Sequence, residues 1–377
     1  MSNLKKIISV KNILELILMI FLYAILDNVG GIKKYIVVLV FCMVFFWNGR
    51  KNKWSPEALL YIGLPVIAYV LLGGMSAFIS VNTQTTAVKV MIYWIVPLVF
   101  TFALYTSYGA EMSHIVDVQF FGSILAYKIF DAPVVFSLTT WESVYAFGFG
   151  VFAIYYAYKK RWKMFALAMI FVYFAEKRIA ILAVLIALFL LGILWLFSYS
   201  KKLVLAFWGL IVAAIYAYIY FIYSGVMEAF CWGANINTNG RVEIYSRMAH
   251  EFEFSLGYFG EGLGIVEQLL EYWKVTMYGN LHNDLLKFYI ELGFGGLLLF
   301  LLSYGVMFYF VEKRFGKSKM CYFFAISAYT MMLFATDNTS IYMIYLIPMY
   351  VTMFAVLASE RQAKIEKGSS KDDEKDN

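Results

Sequence analysis

Long apolar runs separated by short charged segments dominate this sequence of 377 residues. Hydrophobic residues make up 62% of it and charged residues 15%, whereas soluble domains carry roughly 45–50% and about 25%. A water-soluble core cannot bury so much apolar surface, so lipid must be the solvent for most of the chain. The sequence therefore predicts an all-α polytopic membrane protein.

A membrane-spanning helix needs about 20 mainly apolar residues. On that criterion we predict about 12 transmembrane helices, near residues 12–28, 34–48, 58–80, 87–106, 114–130, 142–158, 162–176, 178–199, 203–223, 287–311, 320–336 and 340–359. The fifth run carries His114, Asp117 and Lys128, and it can instead lie along the membrane surface. We expect residues 1–359 to form a single polytopic domain and the charged stretch 360–377 to be a disordered tail.

The distribution of basic residues predicts the orientation in the membrane. With the N-terminus inside, 21 of the 31 Lys and Arg residues fall on the inner side, and cytoplasmic loops are the ones enriched in these residues. Lys33 and Lys34 argue weakly against this orientation. We therefore expect both termini in the cytoplasm, and we read the net charge of +6 as a topology signal rather than a sign of nucleic-acid binding.

One long segment, residues 224–281, interrupts the apolar runs and lies outside in this orientation. Long loops in compact proteins are usually functional, and we expect short helices within it. It carries seven glutamates against two arginines and one lysine, so as a whole it repels phosphate. An anion site in this loop must therefore be built by individual arginines.

Both arginines of the loop fall at a predicted helix start. Asn239 can cap that helix, and Glu243 with Arg247 makes a pair at i, i+4 in which Arg247 is a solvated partner. Arg241 lies in the first turn, where the helix dipole disfavours a cation. It makes sense there if it meets an anion together with the free N–H groups; the alternative is an exposed arginine without a role.

The loop leads back into the membrane at a second helix start, next to His282. A neutral imidazole can accept a proton near pH 7; the alternative is an interfacial histidine with ordinary hydrogen bonds. Asp284, Lys287 and Glu291 form a stripe on another face, which we interpret as self-neutralised. Glu291 lies about half a turn away from His282 around the helix, so the two would not meet at one substrate.

The segment Glu176-Lys177-Arg178 joins two apolar runs with almost no loop between them. Charged residues at a span junction are functional candidates. The alternative is a tight helical hairpin whose charged side chains reach out to water.

Three segments, taken in this order, resemble the O-antigen ligase and polysaccharide polymerase family of Wzy-like membrane glycosyltransferases. They are residues 177–178, 240–264 and 282–296. The second contains Phe259-Gly260-Glu261-Gly262-Leu263-Gly264, and the third contains His282-Asn283 followed by Glu291-Leu292-Gly293. The resemblance covers about residues 140–311. The spaced combination carries it, since each segment alone is a weak signal.

The resemblance implies a metal-independent glycosyltransferase without a cofactor, whose donor is an undecaprenyl-pyrophosphate-linked oligosaccharide. It implies that Arg178 and Arg241 bind the pyrophosphate, because arginine stays charged and donates bidentately. It implies that His282 orients or deprotonates the acceptor hydroxyl. Further candidates for the site are Lys177, Arg247, Asn283, Glu291 and Glu142.

Several functions remain open on these residues. The leading hypothesis is polymerisation of repeat units into exopolysaccharide or capsule on the outer face of a bacterial cytoplasmic membrane, with flippase and chain-length or export proteins as partners. An O-antigen-type ligase has the same parts. A lipid-linked sugar transporter or flippase would need broken helices around a midplane cavity. A membrane acyltransferase would leave the two arginines without a role.

Overall fold

The computed structural model describes residues 10–28, 33–49, 56–79, 84–131, 143–236, 238, 240–274 and 281–373. Throughout these residues the regular secondary structure is helical, without strands, which confirms the all-α prediction. The α-helices in chain order are α1 Val10–Asn28, α2 Lys33–Gly49, α3 Pro56–Ile79, α4 Gln84–Tyr108, α5 Met112–Ala126, α6 Tyr145–Tyr158, α7 Trp162–Phe174, α8 Arg178–Leu196, α9 Lys201–Tyr223, α10 Val226–Gly233, α11 Arg241–Met248, α12 Ile265–Tyr272, α13 Asp284–Phe315, α14 Lys317–Phe334 and α15 Met343–Asp373.

Five helical stretches among the described residues are long and apolar enough to cross a membrane, by length and composition. They are Pro56–Ser76, Thr86–Ile129, Arg178–Leu196, Lys201–Tyr223 and Asp284–Phe315. Shorter apolar helices occur at Ile13–Leu26, Trp162–Phe174 and Met343–Ala358. The protein is thus an integral membrane protein, and the figure of about 12 spans stays a prediction.

Three helices of eight residues each, α10, α11 and α12, lie between α9 and α13. They occupy the stretch where the sequence predicts a long loop of short helices, and the side of the membrane that it faces stays a prediction. At the other end, α15 continues to Asp373, and the disordered tail expected over residues 360–377 stays a prediction. Ala, Lys and Glu in this stretch are good helix formers and extend the apolar helix before it.

The chain divides into two compact units, which are described separately. Unit 1 comprises residues 1–62, 96–188 and 342–377. In it α6 packs on α7 and α15, and the Phe147 ring stacks on that of Tyr342 with centroids 6.3 Å apart. The N–H of Ser143 donates to the carbonyl of Ala175 at 3.0 Å, which ties the start of α6 to the end of α7.

Unit 2 comprises residues 63–95 and 189–341. Its core is aromatic: Tyr69 stacks on Trp94 with ring centroids 4.5 Å apart, and the rings of Phe288 and Phe300 meet Trp94 edge-on at 5.7 Å. Tilted and edge-to-face pairs of this kind add about 0.5–1.5 kcal/mol each beyond the area they bury. The core holds the first half of α13 in place through Phe288.

A break in α13 at Gly293 shapes unit 2. This residue has φ 75° and ψ −178°, a region that is nearly restricted to glycine. The break interrupts the i to i+4 hydrogen bonds of the helix, and segment 258–262 supplies partners. Glu261 N–H donates to Ile290 C=O at 2.8 Å, Gly262 N–H to Glu291 C=O at 3.2 Å, and Phe294 N–H to Tyr258 C=O at 2.9 Å.

The approach of the two segments leaves no room for a side chain. A Cβ on Gly260 would lie 2.5 Å from the backbone nitrogen of Gly293. A Cβ on Gly293 would overlap the carbonyl oxygen of Tyr258. The glycine-rich segment therefore serves backbone packing on a broken helix.

We predict that Gly293→Ala destabilises the protein by at least about 1–3 kcal/mol, because alanine is strained at this φ and its Cβ overlaps backbone. Gly295→Ala is the matched control, since nothing lies within 4 Å of a Cβ there and alanine favours a helix by up to about 1 kcal/mol. Thermal unfolding in detergent should show a lower midpoint for Gly293→Ala alone. Equal midpoints for the two variants would contradict the break as described.

Candidate active site

Asn283 starts α13 and thereby positions the residue before it. Its side-chain Oδ1 accepts from the N–H of Leu286 at 3.0 Å, as an N-cap does. Its Nδ2 donates to the hydroxyl of Tyr218 at 3.1 Å. The residue is fully buried, so Asn283 acts here as a cap. His282 stands just before it with φ 53°, a left-handed conformation that is uncommon outside glycine.

His282 pairs with a carboxylate that the sequence analysis did not single out. Its Nδ1 lies 3.2 Å from Oδ1 of Asp337. The Asp337 side chain is 3% exposed and that of His282 is 21% exposed, so the carboxylate is enclosed while the imidazole still reaches solvent. An ionised carboxylate only accepts, so in a neutral imidazole at this position Nδ1 is the donor to Asp337 and Nε2 is left as the acceptor.

Both members of this pair are held by further hydrogen bonds. The N–H of Asn338 donates to Asp337 Oδ1 at 2.8 Å. The hydroxyl of Tyr245 donates to the backbone carbonyl of His282 at 3.0 Å. Burial raises the pKa of Tyr245 above its ordinary value, so its hydroxyl keeps the proton that it donates.

Arg241 comes to the same segment from α11. It is the first residue of that helix, which begins after Gly240 without a side-chain cap. Its Nη1 donates to the backbone carbonyl of Thr336 at 2.9 Å, next to the Asp337 that holds His282. Two predicted site residues, Arg241 and His282, therefore contact adjacent residues of one turn, Thr336 and Asp337.

Asp284 fixes that turn from the start of α13. Its Oδ2 accepts from the N–H of Ser340 at 2.8 Å and its Oδ1 from the Ser340 hydroxyl at 2.6 Å. Both groups are buried, where a hydrogen bond is stronger than in water because the local dielectric is low. The turn and the helix start that carries His282 thus form one hydrogen-bonded assembly.

The residues of the predicted charge stripe on α13 also have partners on other parts of the chain. Lys287 forms an ion pair with Glu267 of α12, and Asp284 bonds Ser340. Burial acts to raise the pKa of Glu267, but the charge and hydrogen bond of Lys287 outweigh it, and the pKa lies below its ordinary value. Glu291 accepts from the N–H of Gly264 at 2.9 Å. Its carboxylate thus braces the glycine segment.

The other predicted residues have separate environments. Arg247 lies over the ring of Trp273, with Cζ 4.1 Å from the centroid. Lys177 and Arg178 belong to unit 1, where Lys177 Nζ lies 5.9 Å from the Phe147 ring centroid and Arg178, which is exposed, begins α8. Glu142 and the predicted cap Asn239 lie outside the described residues.

Sequence reasoning missed Asp337, Tyr218 and Tyr245. A signal for the first existed, because Thr336-Asp337-Asn338-Thr339-Ser340 is a polar run between two apolar ones. The tyrosines lie in a chain where aromatic residues are common, so nothing marked them. Within the described ranges no group of three or more His, Cys, Asp or Glu could hold a metal ion.

These features define a helical integral membrane protein with a histidine–carboxylate pair beside an arginine. Residues 163–301 match the family model described as O-antigen ligase (Wzy_C). This confirms, over those residues, the expected resemblance to the O-antigen ligase or Wzy-like family, which comprises membrane glycan ligases and polymerases. No curated protein and no solved structure matches the chain. Asp337 lies beyond the matched residues.

We predict that Asp337→Asn lowers the turnover of the glycan transfer by roughly 10²–10⁴-fold, because His282 loses the carboxylate that orients it and stabilises its charged form. The amide keeps the shape of the side chain but loses the charge. Turnover is measured with purified protein and lipid-linked substrate, and KM should change little. Glu251→Gln, at an exposed position, is the control. A turnover for Asp337→Asn equal to that of the control would sink the assignment.

Proposed function

We propose that this protein polymerises undecaprenyl-pyrophosphate-linked oligosaccharide repeat units into exopolysaccharide or capsule. The reaction takes place on the outer face of the bacterial cytoplasmic membrane, with both termini of the chain in the cytoplasm. The contact of His282 with Asp337, next to the contact of Arg241 with Thr336, is the observation that carries the proposal. The match of residues 163–301 to a ligase and polymerase family supports it.

His282 is the general base of the proposed reaction. Its Nε2 accepts the proton of the acceptor hydroxyl while the hydroxyl oxygen attacks the anomeric carbon of the donor sugar. A new glycosidic C–O bond forms, and the bond from the anomeric carbon to the pyrophosphate oxygen breaks. Asp337 stabilises the imidazolium that results, since a carboxylate favours the charged form. A positioned base of this kind contributes typically 10²–10⁴-fold.

The leaving group of the reaction is a lipid pyrophosphate, which departs with the electron pair of the broken bond. Arg241 would bind it. A guanidinium has five N–H donors in a planar fork, so the bond from Nη1 to Thr336 fixes its orientation and leaves others for phosphate oxygens. The family resemblance also implies a pyrophosphate-binding role for Arg178, with Lys177 as a further candidate. Charge neutralisation by arginine makes a metal ion unnecessary in this proposal.

Two alternatives remain as candidates. An O-antigen-type ligase would use the same residues to move a finished glycan to another acceptor, and the description of the matching family favours it. A transporter or flippase for lipid-linked sugars belongs to another class. The broken helix α13 is the feature that speaks for it, whereas a carboxylate-oriented histidine is the arrangement of a catalyst.

We expect His282→Ala and Arg241→Ala to abolish chain lengthening in cells. A strain without the gene is complemented with wild type or with either variant, and glycan length is measured on the lipid carrier. Loss of the base should lower the rate by about 10²–10⁴-fold, so lipid-linked single repeats accumulate. His250→Ala, an exposed histidine of the same unit, should restore long chains like the wild type.

The outcomes separate the three functions. Accumulated single repeats that only wild type and His250→Ala relieve support the polymerase. Long chains that persist on the carrier and never reach their final acceptor indicate a ligase. Normal chains from both site variants, at protein levels equal to wild type, would refute the site assignment and favour the transporter.

A further inference from the structure

An open cavity of about 170 Å³ lies in unit 2 beside the start of α11. Six of the residues that line it are Cys231, Trp232, Asn235, Ile236, Thr238 and Glu243. A cavity needs roughly 10–15 Å³ of such space for each water. The space therefore suits a ligand of roughly a dozen non-hydrogen atoms, which is the size of one sugar ring.

The walls of the cavity combine exposed apolar surface with groups that bond hydroxyls. Trp232 is 69% exposed and Ile236 is 48% exposed, so both present apolar surface at the cavity. Asn235 and Thr238 can both donate and accept hydrogen bonds, and Glu243 can accept them. A sugar offers a C–H face to an aromatic ring and hydroxyls to these polar groups. A phosphate would be repelled by Glu243.

The frame of the cavity is fixed by bonds between its elements. The hydroxyl of Ser246 in α11 donates to Glu228 Oε2 in α10 at 2.7 Å. The N–H of Ile236 donates to the carbonyl of Cys231 at 2.9 Å, which closes the turn after α10, and the Cys231 side chain is buried. A site that is formed before the ligand arrives loses less free energy on binding.

The cavity and the candidate active site are formed by neighbouring residues in the sequence. Gly240 lines it, and the next residue, Arg241, bonds Thr336 beside the carboxylate that holds His282. We infer that this cavity binds one uncharged sugar ring of the oligosaccharide substrate while Arg241 meets the pyrophosphate. This inference rests on the proposed function, because the ligand class is the glycan of that reaction.

The test compares Trp232→Ala and Thr238→Val with Trp162→Ala, an exposed tryptophan of unit 1. We expect Trp232→Ala to raise the KM for the lipid-linked repeat unit about 5–50-fold, from the lost burial of an aromatic face, with turnover unchanged within about twofold. Thr238→Val keeps the side-chain volume and should raise KM about threefold or more. Thr238→Val also tests the cavity if Trp232→Ala does not fold. The control should keep the wild-type KM.

Calorimetric titration of the full-length protein separates this inference from the proposed function. The ligand is the free oligosaccharide released by mild acid from the carrier of the producing cells. Weaker binding by Trp232→Ala or Thr238→Val, by the factor seen in KM, supports the sugar site. Wild-type KM and Kd in both variants would overturn it even if wild type polymerises. Oligosaccharide binding that depends on Trp232, without any polymerisation, would leave the cavity as a sugar site and reject the polymerase.

Discussion

The backbone bonds across the break at Gly293 are the constraint on which unit 2 depends. Lipid offers no hydrogen bonds, so each backbone group that a broken helix releases needs a protein partner. The segment 258–262 provides those partners, and the hydroxyl of Ser76 donates to the carbonyl of Glu291 at 2.8 Å. The first half of α13 can therefore run in a different direction from the second half. Its direction sets the position of His282, the residue before the cap.

The candidate site is built chiefly through main-chain groups. Arg241 bonds a carbonyl of the 336–340 turn, Tyr245 bonds the carbonyl of His282, and Asp284 bonds the N–H of Ser340. These hydrogen bonds to main-chain groups fix the positions of the start of α13 and of the 336–340 turn. None of them uses the imidazole Nε2 of His282. Such preorganisation is what a catalytic or binding site needs, because little reorganisation is left for the moment of reaction.

Composition was enough to predict the all-helical membrane class, and local helix-start arguments were enough to select Arg241 and His282. The partner Asp337 could not be predicted, because it lies 55 residues from His282 in sequence and a single sequence carries no information on such pairing. The ion pair of Lys287 with Glu267 could not be predicted for the same reason, because Glu267 lies on another helix. The number of spans depends on where short or polar runs end, which apolar periodicity does not determine.

The break in α13 also bears on how this helix meets the bilayer. Phe294–Phe315 comprises 22 residues and, at about 1.5 Å per residue, extends roughly 33 Å. That length alone matches a hydrocarbon thickness of about 30 Å. The nine residues before the break are therefore not required for crossing. Asp284, Lys287 and Glu291, which are buried against protein partners, then need not lie at the depth of the hydrocarbon.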